Sequence, residues 1–117
     1  MSTLGNDFTL NAGCSIISDN AAYYAVMQTD GNFVIYTTHT NRVLWTSNTM
    51  NKGQFPYRLV MQDDGNLVIY DRNNGVTWAS NTLNKGAKPH ALIMQDDGNL
   101  VIYDGNGGVT WATGTVQ

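Results

Sequence analysis

One nine-residue pattern occurs three times in the chain and constrains everything else about it. It reads Gln28-Thr29-Asp30-Gly31-Asn32-Phe33-Val34-Ile35-Tyr36, then Gln62-Asp63-Asp64-Gly65-Asn66-Leu67-Val68-Ile69-Tyr70, then Gln95-Asp96-Asp97-Gly98-Asn99-Leu100-Val101-Ile102-Tyr103. Gln, Asp, Asn, Val and Tyr keep the same offsets in every copy. A hydrophobic core calls for apolar residues at fixed spacing. It does not call for four polar types at fixed spacing. Three copies of one polar constellation point to three copies of one small binding site.

The repetition reaches beyond the motif. Trp45, Trp78 and Trp111 recur every 33 residues, and Thr46-Ser47-Asn48-Thr49-Met50-Asn51-Lys52-Gly53 is echoed by Ala79-Ser80-Asn81-Thr82-Leu83-Asn84-Lys85-Gly86. The one slip in the spacing is an extra residue between Tyr36 and Trp45, and turns absorb an insertion more easily than paired strands. A period of this length signals either an open array or a closed, pseudo-symmetric unit.

Within one repeat, Tyr57 to Gln62 is short, apolar and partly alternating, as a strand should be. Asp63-Asp64-Gly65-Asn66 is a turn, because Gly takes positive φ freely and Asp-Gly favours hairpins. Leu67 to Tyr70 and Val76 to Ser80 read as further strands, rich in β-branched and aromatic residues. About a dozen short strands follow for the chain, with no helical periodicity in any window. Gly, Asn, Asp and Thr are abundant and charges are few, as in a turn-rich all-β protein. At 117 residues the expectation is one domain, 1–117, with three internal repeats.

Alternation sorts the side chains. Leu67 and Ile69 point inward with Leu59, Met61 and Trp78, while Asn66, Val68 and Tyr70 point outward. The hairpin returns Gln62 beside Asn66, with Asp64 at the bend. Such a set suits a neutral polyol. A carboxylate accepts hydrogen bonds, amides donate and accept, a phenol does both, and Val offers methyl groups to the C–H side of a sugar ring. Discrimination follows because a missing or inverted hydroxyl strands a desolvated partner.

The triple Gln-x-Asp-x-Asn-x-Val-x-Tyr, with Trp78-Ala79-Ser80-Asn81-Thr82 and the closing Trp111-Ala112-Thr113-Gly114-Thr115, closely resembles the monocot mannose-binding (bulb-type, snowdrop-type) lectins over nearly the whole chain. The resemblance implies a β-prism II fold: three four-stranded antiparallel sheets around a pseudo-threefold axis, tryptophans at the centre, and one mannose site per sheet. In that pattern Asp30 and Asn32 bind the 2-hydroxyl, Gln28 and Asp30 the 3-hydroxyl and Tyr36 the 4-hydroxyl, with Val34 against the ring carbons. Gln62, Asp64, Asn66, Val68 and Tyr70 take the same roles in the second repeat, and Gln95, Asp97, Asn99, Val101 and Tyr103 in the third. The implied partners are α-D-mannose and high-mannose glycans. The resemblance also implies a homodimer, because the C-terminal strand of plant relatives completes a partner's sheet and Ala112 to Gln117 looks able to do the same. It departs from the plant pattern in one respect: those members carry a disulfide cysteine after one motif Asp, where this chain has Gly31, Gly65 and Gly98.

Other readings are weaker. No run of Lys or Arg offsets the formal net charge of −3, which argues against nucleic acid. No segment is long and apolar enough for a membrane-spanning helix, and the N-terminus lacks the layout of a secretory signal; cytoplasmic synthesis or leaderless secretion is expected. The Asp-Gly turns lack the closing glutamate and helical flanks of a calcium loop, so neither metal nor cofactor is expected. The adjacent Asp63-Asp64 and Asp96-Asp97 pairs sit on tight turns and make a poor glycosidase dyad; the chain reads as a non-enzyme. A β-prism scaffold that binds protein, with vestigial sugar sites, is the competing function. Cys14 is expected to be a small buried or half-buried hydrophobe, and His39 and His90 solvated loop residues. Asn66→Ala or Asp64→Ala is expected to silence one site and leave the fold nearly intact.

Overall fold

The computed structural model describes all 117 residues. Twelve strands make three four-stranded antiparallel sheets. The first sheet holds β3 (Ser15–Ile17), β4 (Tyr23–Met27), β5 (Phe33–Thr37) and β6 (Val43–Thr46), in that order. The second holds β2 (Thr9–Asn11), β7 (Arg58–Met61), β8 (Leu67–Tyr70) and β9 (Val76–Ala79). The third holds β1 (Thr3–Leu4), β10 (Ala91–Met94), β11 (Leu100–Tyr103) and β12 (Val109–Ala112). This is the all-β, three-sheet architecture expected.

Each repeat supplies three strands as a local meander. The fourth strand of every sheet comes from the first 17 residues: β3 joins the first sheet, β2 the second and β1 the third. These strands are two or three residues long, too short to carry a legible alternation. The last strand of each meander has a bulge at the same place, beside Tyr36, Tyr70 and Tyr103. The extra residue of the first repeat falls in the turn before β6, outside the paired strands.

The inward sides share one core. Ala25, Met27, Phe33 and Ile35 from the first sheet meet Leu59, Met61, Leu67 and Ile69 from the second and Leu92, Met94, Leu100 and Ile102 from the third. Trp45, Trp78 and Trp111 pack against it, partly buried. Their rings meet edge to face, with centroids 5.5 to 5.7 Å apart and interplanar angles of 70° to 78°, the arrangement ring quadrupoles prefer. The tryptophans are core residues, as the sequence indicated.

Two expectations are corrected. Cys14 is exposed, not packed as a hydrophobe. His90 is only 2% exposed; its Nε2 donates to the Lys85 carbonyl at 2.7 Å, while Nδ1 is buried without a partner. It occupies in the third repeat the place of Tyr57 in the second, and its ring lies under Gly65 as Tyr57 lies under Gly31. A Cβ at Gly31 would stand 2.7 Å from the Tyr57 ring, and φ there is +91°, so this turn position requires glycine. In the single chain the C-terminal tail folds back onto the third hairpin. Thr113 N donates to Leu100 O at 3.0 Å and Gln117 N to Asp97 O at 2.7 Å. The tail thereby follows the course of the loops after Trp45 and Trp78, where Asn51 N reaches Asp30 O and Asn84 N reaches Asp64 O, also at 2.7 Å.

Candidate functional site

Each motif folds as a tight hairpin bend. Gln28 N donates to Asn32 O at 3.0 Å and Gly31 N to Gln28 O at 3.1 Å, and the second and third copies repeat both bonds. Inside the bend the motif aspartate accepts from the backbone N–H of the asparagine two residues on: Asp30 from Asn32, Asp64 from Asn66, Asp97 from Asn99, each through Oδ1 at 2.9 Å. This local bond is the reason the bend favours Asp. It leaves Oδ2 of Asp30 and Asp64 uncommitted.

The asparagines are held by the loop after each tryptophan. Asn32 Oδ1 accepts from Thr46 Oγ1 at 3.1 Å, Ser47 Oγ at 3.2 Å and Thr49 N at 3.2 Å. Asn66 Oδ1 accepts from Ser80 Oγ at 3.3 Å and Thr82 N at 3.1 Å. Asn99 Oδ1 accepts from Thr113 Oγ1 at 3.2 Å, Gly114 N at 3.0 Å and Thr115 N at 3.2 Å. A backbone N–H can only donate, so these bonds fix which end of the amide is oxygen. Nδ2 is left without a protein partner and is not sealed from solvent. Each asparagine thus presents a pure donor in a fixed orientation. A second thread ties the same loop to the bend: Thr49, Thr82 and Thr115 hydroxyls donate to the carbonyls of Gly31, Gly65 and Gly98 at 2.6 to 2.7 Å.

Gln and Tyr close the other side. Gln28 Nε2 donates to the Tyr36 hydroxyl, and Gln62 Nε2 to that of Tyr70 at 2.7 Å. In the third copy the bond runs the other way: Tyr103 donates to Gln95 Oε1 at 2.7 Å, and Gln95 Nε2 lies 3.3 to 3.4 Å from both carboxylate oxygens of Asp97. Val34, Val68 and Val101 lie on the outward side of their strands, outside the shared core, yet are only 2% exposed. They form the floor between the polar groups, not a projecting patch. All fifteen residues singled out in the sequence are therefore gathered in threefold fashion at the three hairpins.

Sequence reasoning missed the residues that hold the site. Ser47, Thr49, Ser80, Thr82, Thr113 and Thr115 belong to the echoed stretch after each tryptophan, so the signal was present without an assigned role. It also missed the work of the first aspartate in each Asp-Asp pair. Asp63 accepts from Asn6 Nδ2 at 2.8 Å and pairs with Lys88 Nζ at 2.7 Å, and Asp96 accepts from Asn20 N at 2.8 Å. Both pin an N-terminal segment to a neighbouring sheet. The hydrogen bond from Lys88, then that from Asn6, lowers the Asp63 carboxyl below its ordinary value, and Asp63 raises the Lys88 ammonium.

The same fold is known in solved lectins. A monomeric monocot mannose-binding lectin of Gastrodia elata is 39% identical over all of both chains, with a TM-score of 0.89. The snowdrop (Galanthus nivalis) mannose-specific agglutinin, solved with methyl-α-D-mannoside, is 35% identical over 100% of this chain and 99% of its own, with a TM-score of 0.79. The Polygonatum cyrtonema lectin, solved with a monomannoside, is 38% identical over 98% and 97%, also at 0.79. No family model and no curated protein sequence matches the chain. The three-sheet fold with one polar hairpin per sheet defines a β-prism II lectin, a non-enzymatic carbohydrate-binding protein. The chain belongs to the monocot mannose-binding lectin family.

Proposed function

We propose that the chain binds α-D-mannose and the mannose residues of high-mannose glycans at three sites, one per hairpin. The observation that carries this reading is the threefold capture of Asn32, Asn66 and Asn99 through Oδ1, which aims a donor outward beside a carboxylate. In the first site Asn32 Nδ2 donates to the 2-hydroxyl oxygen and Asp30 accepts from the 2- and 3-hydroxyls. Gln28 completes the contact to the 3-hydroxyl. Tyr36, already accepting from Gln28, keeps its proton for the 4-hydroxyl, and Val34 supports the ring carbons. Gln62, Asp64, Asn66, Val68 and Tyr70 do the same in the second sheet; in the third Gln95, Asp97, Asn99 and Val101 take these roles, while Tyr103, which donates to Gln95, meets the 4-hydroxyl as an acceptor. The snowdrop and Polygonatum relatives were solved with mannosides, and the donor set here is of the kind an axial 2-hydroxyl needs.

A shallow face buries little of a small polar ligand, so each site should hold the monosaccharide only at about millimolar strength. Avidity for glycans comes from multiplicity. A homodimer, expected from the tail, would raise three sites to six. Tail exchange would trade the intrachain bonds of Thr113, Thr115 and Gln117 for equivalent bonds to a partner; light scattering at micromolar concentration decides between one chain and two. The binding experiment is retention on mannan-agarose and release by free mannose, unaffected by EDTA. Retention that mannose cannot compete, or release by EDTA, would overturn the proposal and favour a protein-binding scaffold or a metal-dependent site.

A further inference from the structure

The motif is invariant, but the side chains next to it are not. At the level of the motif tyrosine a row of outward residues crosses each sheet, read off the strand registers. In the first sheet it runs Ile17, Tyr24, Tyr36, Val43. In the second it runs Asn11, Arg58, Tyr70, Val76. In the third, Tyr103 is flanked by Ala91 and Val109, and β1 pairs only as far as Leu4 opposite Leu92. Three sites with one donor set therefore sit beside three different surfaces.

The first surface is built to take an apolar face. The Tyr24 and Tyr36 rings stack with centroids 5.3 Å apart and planes 26° apart. Ile17 and Val43 at the two ends of the row are 41% and 50% exposed. Four strands in register span ~14 Å, which reaches well past one pyranose ring. The stacking holds the Tyr24 ring in place before a ligand arrives, so little rotamer freedom is lost on binding. In the second sheet the corresponding position is closed to such use: the Arg58 guanidinium lies 4.8 Å over the Tyr70 ring and donates to Asn74 Oδ1 at 2.8 Å. In the third, Ala91 offers one methyl group.

We infer that Tyr24, with Ile17 beside it, forms an extended subsite on the first sheet for a second, neutral sugar residue linked to the mannose held by Gln28, Asp30, Asn32 and Tyr36. The inference rests on the mannose reading of the motif. A pyranose carries its C–H bonds on one face, and that face stacks on an aromatic ring while its hydroxyls stay in water. Covering roughly 55 Å² of apolar surface corresponds to about a tenfold gain in affinity. The first sheet is thereby selective for oligomannosides, and the other two treat an oligomannoside as a single terminal mannose.

The test isolates one site at a time. In a Gln62→Ala/Gln95→Ala protein, calorimetric or NMR titration compares methyl α-mannoside with an α-linked mannotriose. The expected ratio of affinities is about tenfold in favour of the trisaccharide, falling to about one when Tyr24→Ala is added. In the complementary Gln28→Ala/Gln62→Ala protein, where only the third site remains, the ratio starts near one and rises when Ala91→Tyr is added; this arm stands even if Tyr24→Ala does not fold. An unchanged ratio in both arms, with methyl mannoside still bound, overturns the subsite and leaves the motif reading standing. No binding of methyl mannoside by the folded wild-type protein overturns the motif reading and the subsite with it.

Discussion

The first and third hairpins carry the same five motif residues and hold them differently. Asn32 is 8% exposed, locked by Thr46, Ser47 and Thr49, and Ser47 and Thr49 are themselves buried. Asn99 is more open and is captured by the C-terminal tail, with Gly114 supplying a bond and Ala112 standing where Thr46 contributes a hydroxyl. The Gln–Tyr bond also reverses: Gln28 donates to Tyr36, whereas Tyr103 donates to Gln95. In the third site more of the polar capacity is spent internally, since Gln95 also leans on Asp97. A sequence motif thus fixes which groups meet. The loop behind it fixes how firmly they are held and which way their protons face.

The comparison breaks most severely where both hairpins depend on one element. Trp78→Ala removes a ring that packs on Trp45 and Trp111 and should cost about 3 kcal/mol, a large share of the stability of a domain this size. The melting temperature should fall, with all three hairpins losing order together. Retained melting temperature with lost sugar binding would show that the tryptophans are ligand platforms after all. Next in size are the asparagines. Asn32→Ala strands the buried Thr49 N–H, while the Thr46 and Ser47 hydroxyls keep Asn48 and Thr49 as partners, and should cost roughly 1–3 kcal/mol. Asn99→Ala, whose donors are nearer solvent, should cost less. Denaturant melts of the two variants sharpen the difference, and equal losses would mean that burial does not set the strength of the anchor.

Acid separates the repeats in another way. The Asp71 carboxylate accepts from the backbone N–H groups of Gly75, Gln54 and Asn73, and Asp104 from those of Ala87, Gly108 and Asn106. These bonds, chiefly from Gly75 and from Ala87, lower both carboxyls below their ordinary value. A depressed folded pKa means that the carboxylates stabilise these turns above about pH 4 and release them as pH falls below it. The first repeat has Thr37 in that place, accepting from Arg42 N at 3.0 Å. Amide exchange on lowering the pH should therefore loosen residues 71–75 and 104–108 before 37–42, and Asp71→Asn should abolish the acid sensitivity of its own turn. The smallest effect on stability belongs to the glutamines. Gln28→Ala or Gln95→Ala should leave stability within about 0.5 kcal/mol while mannose titration falls from three sites to two.

The contrast between glutamine and asparagine marks how far the sequence could be read. Alternation along Leu67 to Tyr70 was enough to separate core from outward residues, and the triple motif was enough to gather the fifteen site residues. Against the expectation that Asn66→Ala spares the fold stand the bonds of the Asn66 oxygen to Thr82 N and Ser80 Oγ, which a motif alone does not reveal. An amide has two ends, and a motif does not tell which end faces the protein. β1 to β3 were illegible because two or three residues carry no period. His90 was misread because a polar residue in a turn-like stretch gives no sign that a ring is needed beneath Gly65.

The three N-terminal strands have a consequence for the order in which the molecule is made. Every meander pairs neighbours in sequence and can form as soon as it is synthesised, since short loops close quickly. Thr3 must wait for Ile93, nearly the whole chain away, and Thr9 for Val60. Until the third meander exists, β1 has no sheet to join, and β10 keeps a bare edge until β1 arrives. Closure of the prism is therefore a late, non-local event, and a nascent or truncated chain passes through a stage with open strand edges, the state in which all-β proteins are most prone to associate with the wrong partner.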